Sequence, residues 1–396
     1  MKHTACLLIV IVLLSSAAFS AFPDWKNVKD FGAVGNGTTD DTKAIRDAIT
    51  AAGVGGTVYF PFGEYRLTGV LKLKQVALTG AVDGGWPGDA PYLPKIIVAH
   101  KDAPAVEAGD ASSIRGLYFE CQNDPAKPEP RPAVILLTGI GVNIRNVKIQ
   151  LPWIGIASDG ISNNGRCCIE NVFIISALNC GVYLTHTWDT PILNKIEVWN
   201  TADYCLNNAT GFRFGHNDQI RASLLFAFRC KTGFLFDLPA EDKHNNYGDF
   251  VGCSTDACIN GISITKGDVR FSGCTFLNHW ATAILKSPKA SLQLSGCRLQ
   301  TNGEPHIIVE NCDQLTVTGC QFHRAFMNES PAVDIRGGKN ISISGCTFSG
   351  ETGGVRISGQ TDCFAISGNV FSAADFVKVD DQTPENRRKA ICGNTE

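Results

Sequence analysis

A phrase of eight residues recurs through the C-terminal half of the chain, and its period leaves few folds open. Val269-Arg-Phe-Ser-Gly-Cys-Thr-Phe276 returns as Leu292-Gln-Leu-Ser-Gly-Cys-Arg-Leu299, Leu315-Thr-Val-Thr-Gly-Cys-Gln-Phe322, Ile341-Ser-Ile-Ser-Gly-Cys-Thr-Phe348 and Phe364-Ala-Ile-Ser-Gly-Asn-Val-Phe371. The Cys or Asn falls at 274, 297, 320, 346 and 369, in steps of 23, 23, 26 and 23. Ile144-Arg-Asn-Val-Lys-Ile149 and Ile169-Glu-Asn-Val-Phe-Ile174 are weaker copies, 25 residues apart. A period of this length marks a solenoid. Apolar alternation on both sides of a Gly-Cys or Asn corner predicts two short strands meeting at a bend, because Gly and Asn tolerate left-handed backbone.

A third short strand completes each coil, as in Gly181-Val-Tyr-Leu184, Gly211-Phe-Arg-Phe214, Gly233-Phe-Leu-Phe236, Gly261-Ile-Ser-Ile264, Ala332-Val-Asp-Ile335 and Gly354-Val-Arg-Ile357. Three strands per coil predict an all-β chain wound as a parallel β-helix of about ten or more coils, regular from 140 to 380. At about 4.8 Å per coil, ten coils make a rod on the order of 50 Å long. Composition agrees: 44% hydrophobic and 18% charged residues with 40 glycines favour strands and turns, and exclude disorder and a coiled coil.

The ends read differently. Lys2 and His3 precede an apolar run from Ala5 to Leu14, and Ala18-Phe19-Ser20 follows with small residues. This predicts a secretory signal peptide over 1–20, an exported protein, and a single β-helix domain over 21–396 with a tail from 381. No later segment is long and apolar enough to span a bilayer. With 35 Lys+Arg against 38 Asp+Glu the net charge is -3, so no basic field for nucleic acid is visible. Cys6 leaves with the leader, and an odd fifteen of the 16 cysteines remain. Stacked one coil apart among apolar neighbours, Cys274, Cys297, Cys320 and Cys346 are expected as a ladder of buried free thiols. Cys363 and Cys392, off that register, are expected as a bridge closing the C-terminal end.

Residues 25–70 form the expected N-terminal cap and first coil. They carry Asp30-Phe-Gly-Ala-Val-Gly-Asn-Gly-Thr-Thr-Asp-Asp-Thr-Lys-Ala-Ile45 and Gly55-Gly-Thr-Val-Tyr-Phe-Pro-Phe-Gly-Glu-Tyr65. Asp40-Asp41-Thr42 opens a helix with an apolar face of Ala44, Ile45, Ala48 and Ile49, suited to cover an open sheet edge. In these two motifs the chain resembles the pectate-lyase superfamily of right-handed β-helix proteins, in the branch of rhamnogalacturonase-like, epimerase-like and phage tailspike domains. The coil repeat carries the resemblance to about residue 380. It implies a right-handed β-helix and a carbohydrate, a polysaccharide, as partner. The superfamily holds hydrolases, lyases, epimerases and binding proteins, so the reaction must be read from the site.

Polygalacturonase-like members open one lateral strand with Gly-Asp-Asp-Cys and the next with Gly-His-Gly, which supplies the carboxyl pair that glycoside hydrolysis needs. Here the matching starts are Leu178-Asn-Cys-Gly181 and Ala209-Thr-Gly211, without those aspartates or the histidine. Aligning Gly181, Gly211, Gly233 and Gly261 instead puts Tyr183, Arg213, Leu235 and Ser263 two residues on, where side chains point outward. Three residues further come His186, His216, Leu238 and Lys266, and Asp237 precedes Leu238.

Tyr183, His186, Arg213, His216 and Asp237 are therefore the candidate catalytic residues, with Lys266 and Trp188 as substrate-binding candidates. Lyase chemistry on a uronate asks for such types: a cation for the carboxylate, a base for the C5 proton and an acid for the leaving oxygen. Asp159, Asp218 and Asp249 are acidic alternatives, although Asp159 in Ser158-Asp-Gly160 also suits a turn. The same exposed Tyr, Arg and His are also ordinary surface types. Three readings stand: a lyase-like enzyme on an acidic polysaccharide, a non-catalytic glycan-binding β-helix, and a hydrolase with a relocated carboxylate pair. No cofactor is required by the sequence; it shows no Cys-His zinc spacing, and a Ca2+ site of scattered carboxylates would leave no motif.

Overall fold

The computed structural model describes residues 25–82, 84–89, 91–302, 305–324, 330–350, 352–372 and 378–395. The expected leader at 1–20 lies outside them. The described strands all pair in parallel and wind as a solenoid of about 14 turns. One ladder runs from Trp25–Asn27 to Lys389–Cys392, a second from Asn36–Asp40 to Val370–Phe371, and a third from Leu71–Leu73 to Val379–Asp381. Coils continue through the stretch where no repeat phrase is visible, since Glu64–Leu67 pairs with Lys95–Val98, and that strand with Tyr118–Cys121.

The corner between the first two strands is left-handed at almost every turn. Glycines 252, 273, 296, 319, 345 and 368 hold it downstream with φ between 59° and 63°. Upstream the same bend is made by Asn146, Asn171, Lys195 and Leu224, with φ between 51° and 53°. Helix α1 (Thr42–Ala52) buries Ile45 and Ala48 against the first coil, with Ala44 and Ile49 packed beside them. The buried carboxylate of Asp41 accepts the N–H groups of Val34 (2.7 Å) and Gly35 (3.1 Å), which fixes the turn before the helix.

The interior is columnar. Phe250 stacks on Phe271 with ring centroids 4.6 Å apart, Phe322 on Phe348 and Phe348 on Phe371 at 4.4 Å. Beside these columns runs the thiol ladder, which Cys253 begins and Asn369 ends. Cys253 N–H donates to Cys274 Sγ (3.3 Å), Cys297 N–H to Cys320 Sγ (3.4 Å) and Cys346 N–H to Asn369 Oδ1 (2.9 Å). A thiol here does the work of an amide toward the preceding coil: Cys274 Sγ accepts the Cys253 N–H and donates to Phe250 O, as the Asn369 amide does with the Cys346 N–H and Ile343 O.

All fifteen described cysteines are free. The expected Cys363–Cys392 bridge is therefore corrected. Register places Cys392 opposite Ser367, four residues beyond Cys363, or about 13 Å along the strand. We expect Cys253, Cys274, Cys297, Cys320 and Cys346 to react with a thiol reagent only after denaturation. Mass spectrometry of native protein finding them joined to one another would overturn the ladder.

His306 is fully buried, with Nε2 2.9 Å from His323 O, and burial pushes its pKa down to about 3. The unfolded chain takes up this proton near pH 6.5 while the folded one refuses it. The stability held by neutral His306 is thus complete above about pH 6.5. It falls by about 1.4 kcal/mol per pH unit as the solution is acidified toward pH 3. Denaturant midpoints measured across that window should fall more steeply for the wild type than for His306→Gln.

Candidate functional site

The third ladder's outward face carries the candidate residues. Its register sets Tyr183 beside Arg213, Arg213 beside Leu235 and Leu235 beside Ser263, as the glycine alignment predicts. Ser263 departs from expectation in being buried, and Ile284 and Ile308, next in the same column, are buried too. The accessible polar stretch at the coils of Tyr183, Arg213 and Asp237 is thereby separated from the Arg356–Asp380 pair farther along the same column.

Arg213 lies over the Tyr183 ring, 4.5 Å from its centroid, and donates through Nε (2.9 Å) and Nη2 (2.8 Å) to one oxygen of Asp237. Burial opposes its charge, yet the hydrogen bond and charge of Asp237 hold its pKa above the ordinary guanidinium value. Nη1 has no protein partner among the described residues.

Where the third strand turns back toward the first ladder, the imidazoles gather. The rings of His186 and His216 meet edge-on at 5.4 Å, and Trp188, 43% exposed, lies 6.3 Å from His216. His216 is buried. Burial first, and then the neighbouring His244 and His186, hold its pKa below the ordinary imidazole value, while Asp218 and Asp242 act the other way. Its Nδ1 is buried without a hydrogen bond. It is thus a neutral imidazole at neutral pH, able to accept a proton.

His244 was not foreseen. Its ring stacks on His216 at 4.0 Å, and its Nδ1 is 2.7 Å from Asp242 Oδ1. It comes from the irregular turn after Leu238, which no repeat marks. Lys266, opposite Asp237 in register, donates through Nζ to Asp242 O and so ties that turn down.

The corner beneath the histidines is built from buried polar groups. Thr185 Oγ1 is 3.1 Å from His186 Nδ1 and accepts the His216 N–H at 3.1 Å. Asn217 donates to Leu184 O and Gly215 O, and Asn246 to Phe214 O. Gly215 is required by closeness: a Cβ there would stand 2.6 Å from Thr185 Oγ1 and 3.5 Å from Tyr183 Oη.

Of the acidic alternatives, Asp218 stays beside His216, where its charge acts on the imidazole, and the other two have other roles. Asp159 accepts the N–H groups of Ile161 and Ser162, the turn role anticipated for it. Asp249 is on the first ladder and pairs with Arg221 at 2.5 Å. Among the described residues no group of three or more His, Cys, Asp or Glu is placed to hold a metal ion, and no helix is long and apolar enough to cross a membrane.

Two family models match this chain: rhamnogalacturonase A/epimerase, pectate lyase-like, over residues 25–90, and right-handed beta helix region over residues 241–371. Mannuronan C5-epimerase AlgE3 of Azotobacter vinelandii is 58% identical over 55 residues, 13% of this chain and 3% of that protein. Alginate lyase 7 of the same organism is 67% identical over 54 residues, 13% and 6% of the two chains. The matched stretch is thus a small part of each relative. The A-module of the A. vinelandii mannuronan C-5 epimerase AlgE6 superposes with a TM-score of 0.54, covering 94% of this chain and 99% of that one at 17% identity, a likeness of fold.

Proposed function

This chain is a right-handed β-helix protein of the pectate-lyase-like family, and from that premise we propose that it acts on an acidic, uronate-containing polysaccharide outside the cytoplasm, by β-elimination. What supports the reading is that Arg213 lies over Tyr183 on adjacent coils, with His186 and the buried, neutral His216 three residues further along the same two coils. Epimerisation at C5 and elimination both start by taking the C5 proton of a uronate, and two relatives bear the names of such activities.

In this scheme an imidazole of the cluster, the neutral His216 or the less buried His186, takes the C5 proton. Negative charge grows on the uronate carboxylate, and the open Nη1 of Arg213 stabilises it. Asp237 orients that guanidinium rather than taking a proton. The C4–O bond then breaks, a C4=C5 double bond forms, and the departing oxygen takes a proton from the Tyr183 hydroxyl. Trp188 and Lys266 hold the neighbouring sugars.

A second reading rests on a specific observation as well. Arg213 is already neutralised by Asp237, an arrangement that also suits a surface binding glycans without cleaving them. Incubation with acidic and neutral polysaccharides separates the two. Ultraviolet absorbance of an unsaturated uronyl product is the expected result. New reducing ends without it would mean hydrolysis, and retention without cleavage would mean binding alone.

A further inference from the structure

Charged residues that face one another across the ladders mostly meet an opposite charge. Arg213 meets Asp237, Arg221 meets Asp249, Lys72 meets Glu107 and Arg388 meets Asp362. Where Arg115 stands beside Arg145, Glu170 follows in the column and pairs with Arg145. The pattern breaks at Lys266 and Lys289: Lys266 has Asp237 opposite on one side, an acid that Arg213 already holds, but Lys289 on the other. The two lysines are direct neighbours on adjacent strands, an arrangement that is destabilising in a sheet. Lys266 Nζ donates to a backbone carbonyl, Asp242 O, and its charge also acts on the Asp242 carboxylate. Among the described residues the exposed Lys289 Nζ has no hydrogen bond or ion pair.

The two ammonium groups line one open depression of about 350 Å³, with Asn245, Tyr247, Asp268 and Asp313. Of its carboxylates, Asp313 is taken by Lys339 at 3.0 Å, and among the described residues neither Asp268 nor Asp313 forms an ion pair with Lys266 or Lys289. The depression starts at the coil next to that of His216, since Asn217 pairs with Asn246 and Tyr247 with Asp268.

We infer that Lys266 and Lys289 form a second anion subsite, which takes a carboxylate of the same glycan chain that lies over the histidine cluster. The inference rests on the reading of that face as a polyuronate site and extends it along the rod. A strand spacing of about 4.8 Å is comparable to the length a sugar residue adds to an extended chain, so carboxylates on successive residues keep step with the coils. An anion between the two lysines relieves their repulsion, and the charge of Lys289 has no other evident use. The inference asks for a substrate of several residues that extends from the histidines toward the C-terminal end of the rod.

Lys289→Glu tests this without touching the proposed chemistry, because the side chain is exposed and holds nothing in place. Full-length wild type and variant are passed over immobilised mannuronan, polygalacturonate and a neutral glucan at several salt concentrations, with Lys127→Glu as a remote exposed control. The expected result is retention of the wild type on a polyuronate, weakened about tenfold or more in Lys289→Glu with a shallower salt dependence, and unchanged in Lys127→Glu. Equal retention of wild type and Lys289→Glu would overturn the subsite, as would a wild type that no polyuronate retains. Unsaturated product is measured on the same samples. If retention depends on Lys289 but no such product forms, the elimination reading fails and the subsite stands.

Discussion

Arg213→Ala lowers turnover on an acidic polysaccharide by at least about a hundredfold, the usual loss when a fixed donor to a developing anion is removed. The thermal midpoint moves little. The pair with Asp237 is partly exposed, 39% for Arg213 and 27% for Asp237, and ion pairs so open to water contribute at most about 1 kcal/mol. The separation of the two readouts is what gives the substitution its force, since an ordinary surface arginine would change neither. Lys378→Ala, several coils away, should leave the rate unchanged. An active preparation that kept its full rate without Arg213 would return the face to ordinary surface.

The largest loss of stability is expected inside the rod. Phe250 touches rings on three sides: Phe271 at 4.6 Å, Phe214 at 5.4 Å, and Phe236 and Phe234 at 5.6 and 5.8 Å. Phe250→Ala should cost about 3–5 kcal/mol, because parallel coils at fixed spacing cannot close over the cavity. Val251→Ala, the next residue but 55% exposed, is the control and should be nearly silent in a denaturant titration. In a solenoid each coil leans only on its neighbours, so hydrogen exchange in Phe250→Ala should rise first in the coils around residue 250. Uniform weakening along the rod would contradict that nearest-neighbour picture.

The downstream coils were legible because one chemical solution repeats there: a left-handed glycine, then a buried Cys or Asn, then an inward Phe or Leu. Upstream the same corner is made by Asn146, Asn171, Lys195 and Leu224, so the geometry persists while the letters change. Coils between 64 and 137 share backbone pairing with the rest but no phrase, and pairing leaves no mark in side-chain identity. The site divides along the same line. Tyr183, Arg213 and Asp237 sit on regular strands, where counting from a glycine is enough. Counting alone failed at Ser263, whose outward position is covered. His244 and Asp242 lie on a turn without a period, and only the fold brings them to His216.

The hydrogen bonds of all three ladders run along the rod, each joining a residue to one a single coil away in sequence. In kinetic terms the contacts stay local however long the chain becomes, which keeps relative contact order low for 396 residues. Helix α1 closes the end that is synthesised first, while the last strand, Lys389–Cys392, remains exposed along its length. Growth by accretion follows. A coil can be laid on any finished neighbour, so the rod can lengthen from wherever folding begins.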